Sequence, residues 1–471
     1  MLNLAIIDAN PSAGEDRLAS VTAGWLAWEI ARAGIEIVAP GHADVVFVVY
    51  PGAVDWSQAV GRSLRRHGLA PQRSHRQRPY VIAGGAVDAT PLTALRIANA
   101  VAVGEGYRFV RTLTSLVREG CNVADISAWI REYPHAIEAS QIDGMERDAE
   151  RPWLMARIAD PLASPDDYVD WTTPPVRCDD QVVRIQASRG CRGRCAYCAT
   201  TWRQRYAVNP NSNVIVSMVS QLDRRGERVQ LITNDAADLP YYGRLRVATD
   251  SQSYTIRAVL NPAVRRSLIA RPPKMARFGV EGLSERIRLA FGKPIPNQML
   301  LDLFDDLQTH RVPFHAFFVP CAPYETAEDV DEFRSLYRDL ARLARYGVSR
   351  IKLTTFTPTP PAPLARFSPS FAVGDPRNEI VHWVARNCAS RHIVLVAGSS
   401  RRGLVRRVAE QLSIPTTVAR QLLESDTTVD LAPTLDDYRR LPPELIAWPV
   451  AAAIRYKIGE VYRRRMGGHA A

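Results

Sequence analysis

Three cysteines fall within eight residues, in the run Gly190-Cys191-Arg192-Gly193-Arg194-Cys195-Ala196-Tyr197-Cys198. The spacing is C-x3-C-x2-C, and it follows directly on an apolar, strand-like run, Val182–Ala187. Three thiolates this close suit three irons of a cubane cluster, which cysteine sulfur holds as a rule. One iron is then left without a protein ligand, and an open coordination position is where chemistry happens. A structural zinc site would need a fourth ligand at short spacing. No Cys or His lies close by on either side, and Cys178 would serve only by folding back. Three inert core cysteines fit poorly with the glycines, arginines and Tyr197 around them. Cys121, Cys178, Cys321 and Cys388 are scattered, and seven cysteines in 471 residues are far too few for a disulfide scaffold.

The elements that must position this loop read as an α/β barrel. After the Val182–Ala187 strand, Val214, Ile215, Met218, Val219 and Leu222 have helical spacing, with Ser212 as candidate N-cap. Strands are expected at Val229–Thr233, Tyr254–Val259, Met275–Val280, Phe314–Val319 and Ile351–Phe356. A helix capped by Asn297 and a long one over Thr326–Tyr346, opened by Thr326-x-x-Asp329, lie between them. About six βα units are too few for a closed eightfold barrel and enough for a curved, open one. The segment Thr357–Pro363 ends the series, and the remainder reads as mostly helical, with Arg463–Arg465 as a solvated helix terminus.

Residues 1 to about 120 show a similar rhythm. Runs at Leu4–Ile7, Ile35–Ala39, Val45–Tyr50, Tyr80–Ala83 and Val101–Val103 are short and rich in Val and Ile. Helix-patterned stretches lie around Ala19–Arg32, Gln58–Arg66, Leu92–Ala98 and Tyr107–Val117. Such alternation means parallel strands buried on both faces, an open sheet whose ligands bind beyond the carboxyl ends of the strands. Gly84-Gly85 and Gly104-Glu105-Gly106 stand at two of those ends, where glycine lets the backbone approach a ligand closely. Residues 121–180 lose the rhythm and read as a linker. The expected domains are therefore 1–120, a linker at 121–180, a barrel at 181–365 and a C-terminal region at 366–471.

The composition is that of a globular protein: 46% apolar, 23% charged, with 33 Pro and 27 Gly in no repeating pattern. That excludes disordered, collagen-like and coiled-coil classes. Net charge is +11, yet lysine occurs only at Lys274, Lys293, Lys352 and Lys457, so nearly all the positive charge is arginine. A solvated basic surface accounts for this as well as a nucleic-acid footprint or an acidic substrate does. The opening MLNLAIIDAN lacks the parts of a signal peptide, and no run approaches the roughly 18 apolar residues of a membrane span. A cytoplasmic protein without membrane contact is the expectation.

The run RIQASRGCRGRCAYCATTW resembles the signature loop of the radical S-adenosylmethionine superfamily, which follows the first strand of a partial (β/α)6 barrel. The resemblance implies a [4Fe-4S] cluster on Cys191, Cys195 and Cys198, its unique iron chelated by S-adenosylmethionine. Reduction then yields a 5′-deoxyadenosyl radical, with the electron coming from a donor such as flavodoxin or ferredoxin. Tyr197 takes the position that packs near the adenine. Gly279-Val280-Glu281-Gly282-Leu283-Ser284-Glu285-Arg286-Ile287-Arg288 is similar to the fourth-strand segment. By that likeness Glu281, Ser284 and Arg288 lie near the cofactor's ribose and carboxylate. Asn234 and Asp235 end the second strand, where the methionyl amino group is often contacted. Phe317–Asp329 resembles the fifth-strand segment, with Pro320 and Cys321 in place of the usual glycine.

The N-terminal domain resembles the Rossmann-like cobalamin-binding module of one branch of that superfamily. It does so through Ala43–Phe47, Tyr80–Gly85 and Ala100–Tyr107, with PLASPDDY similar to the connecting segment. The likeness places cobalamin at Gly84, Gly85, Gly104, Glu105 and Gly106. No D-x-H-x-x-G motif marks a histidine ligand to cobalt. Methylthiotransferases carry three more cysteines in the N-terminal domain, where this chain has only Cys121. The implied activity is methyl transfer to an unactivated carbon. Its rival is an isomerase, lyase or tailoring enzyme without cobalamin, acting on a modified nucleotide or DNA base. A non-catalytic nucleic-acid-binding protein with a structural cluster is a third reading. Cys321, at the end of a barrel strand, reads as a substrate-facing thiol or an inert one, and nothing in the sequence names the substrate.

Overall fold

The computed structural model describes residues 2–9, 20–50, 56–85, 91–103, 106–143, 171, 175–177, 182–203, 206–245, 252–359, 362–369, 376–388, 390–397, 404–406, 408–409, 416–424 and 449–466. Gly104, Glu105, Cys178 and most of the proposed linker lie outside the described residues.

The first sheet joins β1 (Leu4–Asp8), β2 (Val45–Tyr50), β3 (Tyr80–Gly85), β4 (Ala100–Ala102) and β5 (Ala136–Glu138) in that spatial order. The first four are parallel, and β5 runs antiparallel to β4. The strand expected at Ile35–Ala39 contracts to one parallel bridge, Ile37 to Leu4, on the outer side of β1. The chain therefore turns to one side of β1 and then crosses to the other. That reversal makes β1 and β2 a topological switch point, where open α/β sheets bind ligands. Every residue of β2 is buried, as expected for a strand covered on both faces. The domain also runs past residue 120. Asn122 caps a helix at Val123–Glu132, its side chain accepting from Asp125 N at 3.1 Å, and that helix buries Ile126 and Ile130.

The second half begins with β6 (Val176–Arg177), antiparallel to β7 (Val182–Gln186), which pairs in parallel with β10 (Arg228–Ile232). Between them β8 (Ser188–Arg189) and β9 (Ala207–Val208) form a small antiparallel pair. A larger parallel sheet follows in the order β11 (Gln252–Tyr254), β12 (Ala276–Glu281), β13 (Phe314–Phe318), β14 (Ser349–Leu353) and β15 (Ile393–Ala397). Gln252 links the two sheets, its Nε2 donating to Leu231 O at 3.2 Å. The expected strand at Tyr254–Val259 stops at Tyr254, because the Thr255 hydroxyl accepts from Ala258 N and starts a short helix, Ile256–Val259. β15 adds a strand to a region read as mostly helical.

One face of the larger sheet carries Ala276, Phe278, Val280, Phe314, Ala316, Phe318, Ile351 and Leu353 into a single apolar core. Leu300, Leu303, Phe304 and Leu307 of helix Asn297–Thr309, with Phe333, Leu336 and Leu340 of helix Ala327–Leu343, cover that face. Residues between them along each strand consequently point to the inner side of the partial barrel. No helix among the described residues is long and apolar enough to cross a membrane.

Candidate functional site

β8 and β9 close the base of the cysteine loop. Its backbone is then tied to four other segments. Asn234 Nδ2 donates to Gly190 O at 2.6 Å, joining the end of β10 to the loop's first turn. Thr201 Oγ1 donates to Cys191 O at 3.1 Å and Trp202 Nε1 to Cys195 O at 3.0 Å. Ala196 N donates to Phe291 O, and Leu364 N to Ala196 O, each at 3.0 Å. A loop so anchored holds its side chains without help from a core of its own.

The thiols converge. A Cβ placed on Gly193 would lie 3.4 Å from Cys191 Sγ and 3.6 Å from Cys195 Sγ, ordinary contact distances that put both sulfurs beside the same position. Gly193 N also donates to Cys191 Sγ at 3.3 Å. Cys198 is near enough to act electrostatically on both. Burial pushes the Cys191 thiol above its ordinary value and carries the Cys195 thiol up to about 11, with Lys293 opposing. Among the described residues no three His, Cys, Asp or Glu side chains are arranged around a single metal ion. A cubane makes no such demand, since each thiolate takes a different iron. Three soft thiol donors on one anchored loop, with no fourth ligand grouped with them among the described residues, fit that group.

Tyr197 packs against Phe291 with ring centroids 4.8 Å apart, and Lys293 Nζ lies 5.8 Å from its ring centre. Lys293 in turn donates to Glu281 Oε1 at 2.9 Å and Gly279 O at 3.0 Å. Burial alone would lower the Lys293 ammonium, but Glu281 and the neighbouring thiols more than offset it and raise its pKa. Glu281 follows a bulge in β12 and has φ +81°, a conformation that turns its carboxylate inward. A Cβ on Gly279 would come within 2.2 Å of Glu281 Oε1, so that glycine is the gap the ion pair occupies. Thus Cys191, Cys195, Cys198, Tyr197, Asn234 and Glu281 gather at the carboxyl ends of β7, β10 and β12. Lys293 and Phe291 join them with no role assigned from sequence, although the Phe291-Gly292-Lys293 turn was the available signal.

Asp235, Ser284 and Arg288 are each held by hydrogen bonds of their own, and Asp235 is near enough to Cys191 to raise its thiol electrostatically. Asp235 accepts from Thr255 Oγ1 at 2.5 Å and from Ala237 N at 3.0 Å, and burial first raises its carboxyl to about 6. Ser284 caps helix Glu285–Ala290 and donates to Asp329 Oδ1 at 2.5 Å. Arg288, fully buried, donates to Ile295 O at 2.8 Å and Gly282 O at 3.1 Å, and also bonds Asn297 Oδ1. Ser284 and Arg288 thereby brace the turn after β12. Cys321 is wholly buried at φ +62°, its N–H donating to Glu325 Oε1 at 2.9 Å.

In the first sheet, Gly85 has φ +92°, and a Cβ there would lie 2.5 Å from Tyr50 O. Gly84, beside it, and Gly106, before helix Tyr107–Arg118, would each carry a Cβ into open space. The carboxyl edge at β3 and β4 is therefore free of side chains at these two positions, as a broad, flat ligand requires.

The fold is similar to that of solved structures of a radical S-adenosylmethionine methyltransferase. TsrM from Kitasatospora setae, a radical S-adenosylmethionine methyltransferase with cobalamin and [4Fe-4S] cluster bound, matches with a TM-score of 0.52 and 14% identity, over 78% of this chain and 74% of that one. The same enzyme with tryptophan substrate and the analogue aza-SAM bound gives 0.51 and 14%, over 74% and 73%. OxsB, a cobalamin-dependent S-adenosylmethionine radical enzyme, gives 0.47 and 10%, over 72% of this chain and 52% of that one. No protein-family model matches the chain, and no curated protein sequence does. At these identities the likeness is one of fold alone.

Proposed function

We propose that the chain is a radical S-adenosylmethionine enzyme, and specifically a cobalamin-dependent methyltransferase acting on an unactivated carbon. The observation that carries this reading is the cysteine loop. The Cys191 and Cys195 thiols flank Gly193, Cys198 acts on both, and Lys293 pairs with Glu281 beside the Tyr197 ring. Cys191, Cys195 and Cys198 would hold a [4Fe-4S] cluster. Tyr197 would pack against the adenosyl group, with Asn234 and Glu281 as polar contacts for the rest of S-adenosylmethionine. Gly84, Gly85 and Gly106 would let cobalamin lie against the edge of the first sheet. The cluster supplies an electron for cleaving the sulfonium, and cobalamin supplies a methyl carrier. The protein's part is to bind and orient. The anchored loop fixes the thiols, the Tyr197–Phe291 contact gives a flat apolar wall, and Lys293 holds the Glu281 carboxylate in place. The electron would come from a small donor such as flavodoxin or ferredoxin, in a cytoplasmic setting.

Anaerobic reconstitution with iron and sulfide, followed by visible spectroscopy, tests the core of the reading. Iron–sulfur absorption is expected in the parent chain and absent in Cys195→Ala. A parent without it, or a variant that retains it, overturns the assignment. Titration with cobalamin and mass analysis of products test the remainder. A product heavier by one CH2 supports methyl transfer, whereas unchanged mass with consumed S-adenosylmethionine supports an isomerase. Salt-dependent DNA binding that survives loss of the cluster, with no cofactor cleavage, would support a nucleic-acid-binding role instead.

A further inference from the structure

The inner face of the larger barrel sheet carries a group of cations that the cofactor site does not use. Parallel register sets Arg277 of β12 beside His315 of β13, and His315 beside Arg350 of β14. One step toward the carboxyl ends, Gly279, Phe317 and Lys352 form the next row. All of these lie on the strand positions opposite the helix-covered core. Arg277, His315, Phe317 and Lys352 are half-buried and Arg350 is exposed.

No carboxylate among the described residues pairs with these charges. Among the described residues none of Arg277, Arg350 or Lys352 makes an ion pair, whereas Arg265 and Arg334 on the outer helices, and Arg345 just past one, each meet an aspartate. Arg277 Nε and His315 Nε2 are buried atoms with no hydrogen-bond partner. Burial first, and then the positive charges of Arg277, Lys352 and Arg350, hold the His315 imidazole down to about 4, so it is neutral at pH 7. The ring instead stacks on Phe317 at 4.2 Å, and Lys352 Nζ lies 5.8 Å from the Phe317 ring centre. A partly desolvated group of like charges raises the energy of the free protein, and an anion entering it relieves that cost.

We propose that this inner face is a substrate site for a small molecule with an oxyanion at one end, a phosphate or carboxylate, held by Arg277, Arg350 and Lys352. The anion sits at the amino ends of β12–β14. Arg277 precedes Glu281 by four residues on the same strand, which spans roughly 13 Å. The substrate's reacting end therefore points toward the cysteines, with its middle crossing the apolar stretch at Gly279 and Phe317. Guanidinium groups suit this task, since they present paired donors to the oxygens of one anion. The site rests on the proposed function only for the word substrate, because anion binding is measured whether or not a cluster is loaded. The two readings consequently fail separately.

The test is calorimetric titration of the full chain with inorganic pyrophosphate and with citrate at low ionic strength. Saturable binding of one anion is expected, pyrophosphate marking a phosphate-bearing substrate and citrate a carboxylate-bearing one. Arg277→Gln and Lys352→Gln should each weaken it about tenfold, while Arg342→Gln on the outer helix leaves it unchanged. Circular dichroism and melting temperature give the second readout. Removing one of several unpaired like charges should leave stability equal or higher, which a structural arginine would not do. Absence of saturable binding, binding untouched by both variants, or a melting temperature lowered by Arg277→Gln overturns the proposal.

Discussion

Glu325 offers a quantitative check on the loop that leaves β13. Its carboxylate accepts from Cys321 N at 2.9 Å and Ala322 N at 3.3 Å, and shapes a turn in which Cys321 and Tyr324 both have φ near +60°. The side chain is buried, and burial above all raises its pKa from 4.5 to about 8, with the Cys321 N–H opposing and Asp329 adding to the rise. Between those two values the folded chain binds one proton more than the unfolded chain. Its contribution is fully present below pH 4.5 and is lost as the pH climbs through 8. At 1.36 kcal/mol per pH unit the whole window is worth about 5 kcal/mol, and the interval from pH 5 to pH 7 about half of that. Glu325→Gln keeps an oxygen for the Cys321 N–H and cannot ionise. Its stability relative to the parent should therefore rise by about 2–3 kcal/mol from pH 5 to pH 7. Urea midpoints at pH 5, 6, 7 and 8, compared between the two proteins, cancel every other titrating group. A variant less stable by a constant amount at all four pH values would mean that the carboxylate is bound ionised. The two N–H donors would then outweigh burial, and the reasoning would be refuted.

The remaining predictions concern the ion pair and the glycines. Lys293→Met leaves the Glu281 carboxylate, 12% exposed, without its 2.9 Å partner, and should cost about 3 kcal/mol in urea unfolding. Most of that should return in the double variant with Glu281→Gln, and a double variant no better than the single one would place the loss elsewhere. Gly85→Ala forces a side chain onto Tyr50 O at positive φ and should cost at least about 2 kcal/mol or prevent soluble expression. Gly84→Ala meets nothing and should fold with a parent-like melting temperature, yet weaken cobalamin binding about tenfold by absorbance titration. Equal behaviour of the two variants would contradict the distinction drawn between them.

Much of the site was legible because its chemistry is local. Cys191, Cys195 and Cys198 lie on one loop, and their spacing announces a shared ligand without any knowledge of the strands around them. Strand periodicity located β1 to β4 and most barrel strands for a similar reason, since two-sided burial writes itself into a short run of Val and Ile. Failures came where a long-range partner decided the outcome. The stretch at Ile35–Ala39 has strand composition, yet only Ile37 finds a partner. Thr255 breaks its own strand by capping a helix and bonding Asp235, twenty residues earlier. Ile393–Ala397 was an apolar run of strand length, and only its pairing with β14 distinguishes it from one turn of helix.

The arginines show the same division between local and non-local information. By type alone Arg277 and Arg288 are equivalent, and the likeness of the segment around Arg288 directed attention there. In the fold, Arg288 is enclosed by Ile295 O, Gly282 O and Asn297, so it is a strut of the turn after β12. Arg277 lies eleven residues earlier, on the strand face opposite the core, and no described carboxylate meets it. What separates them is register: Arg277 meets His315, and through it Arg350, only because β12, β13 and β14 align in parallel. The net charge of +11 is therefore not evenly uninformative. Arginines of the outer helices that meet aspartates say nothing about function. The unpaired ones on the inner face are where a positive balance carries a statement about the ligand, and pairing, not number, identifies them.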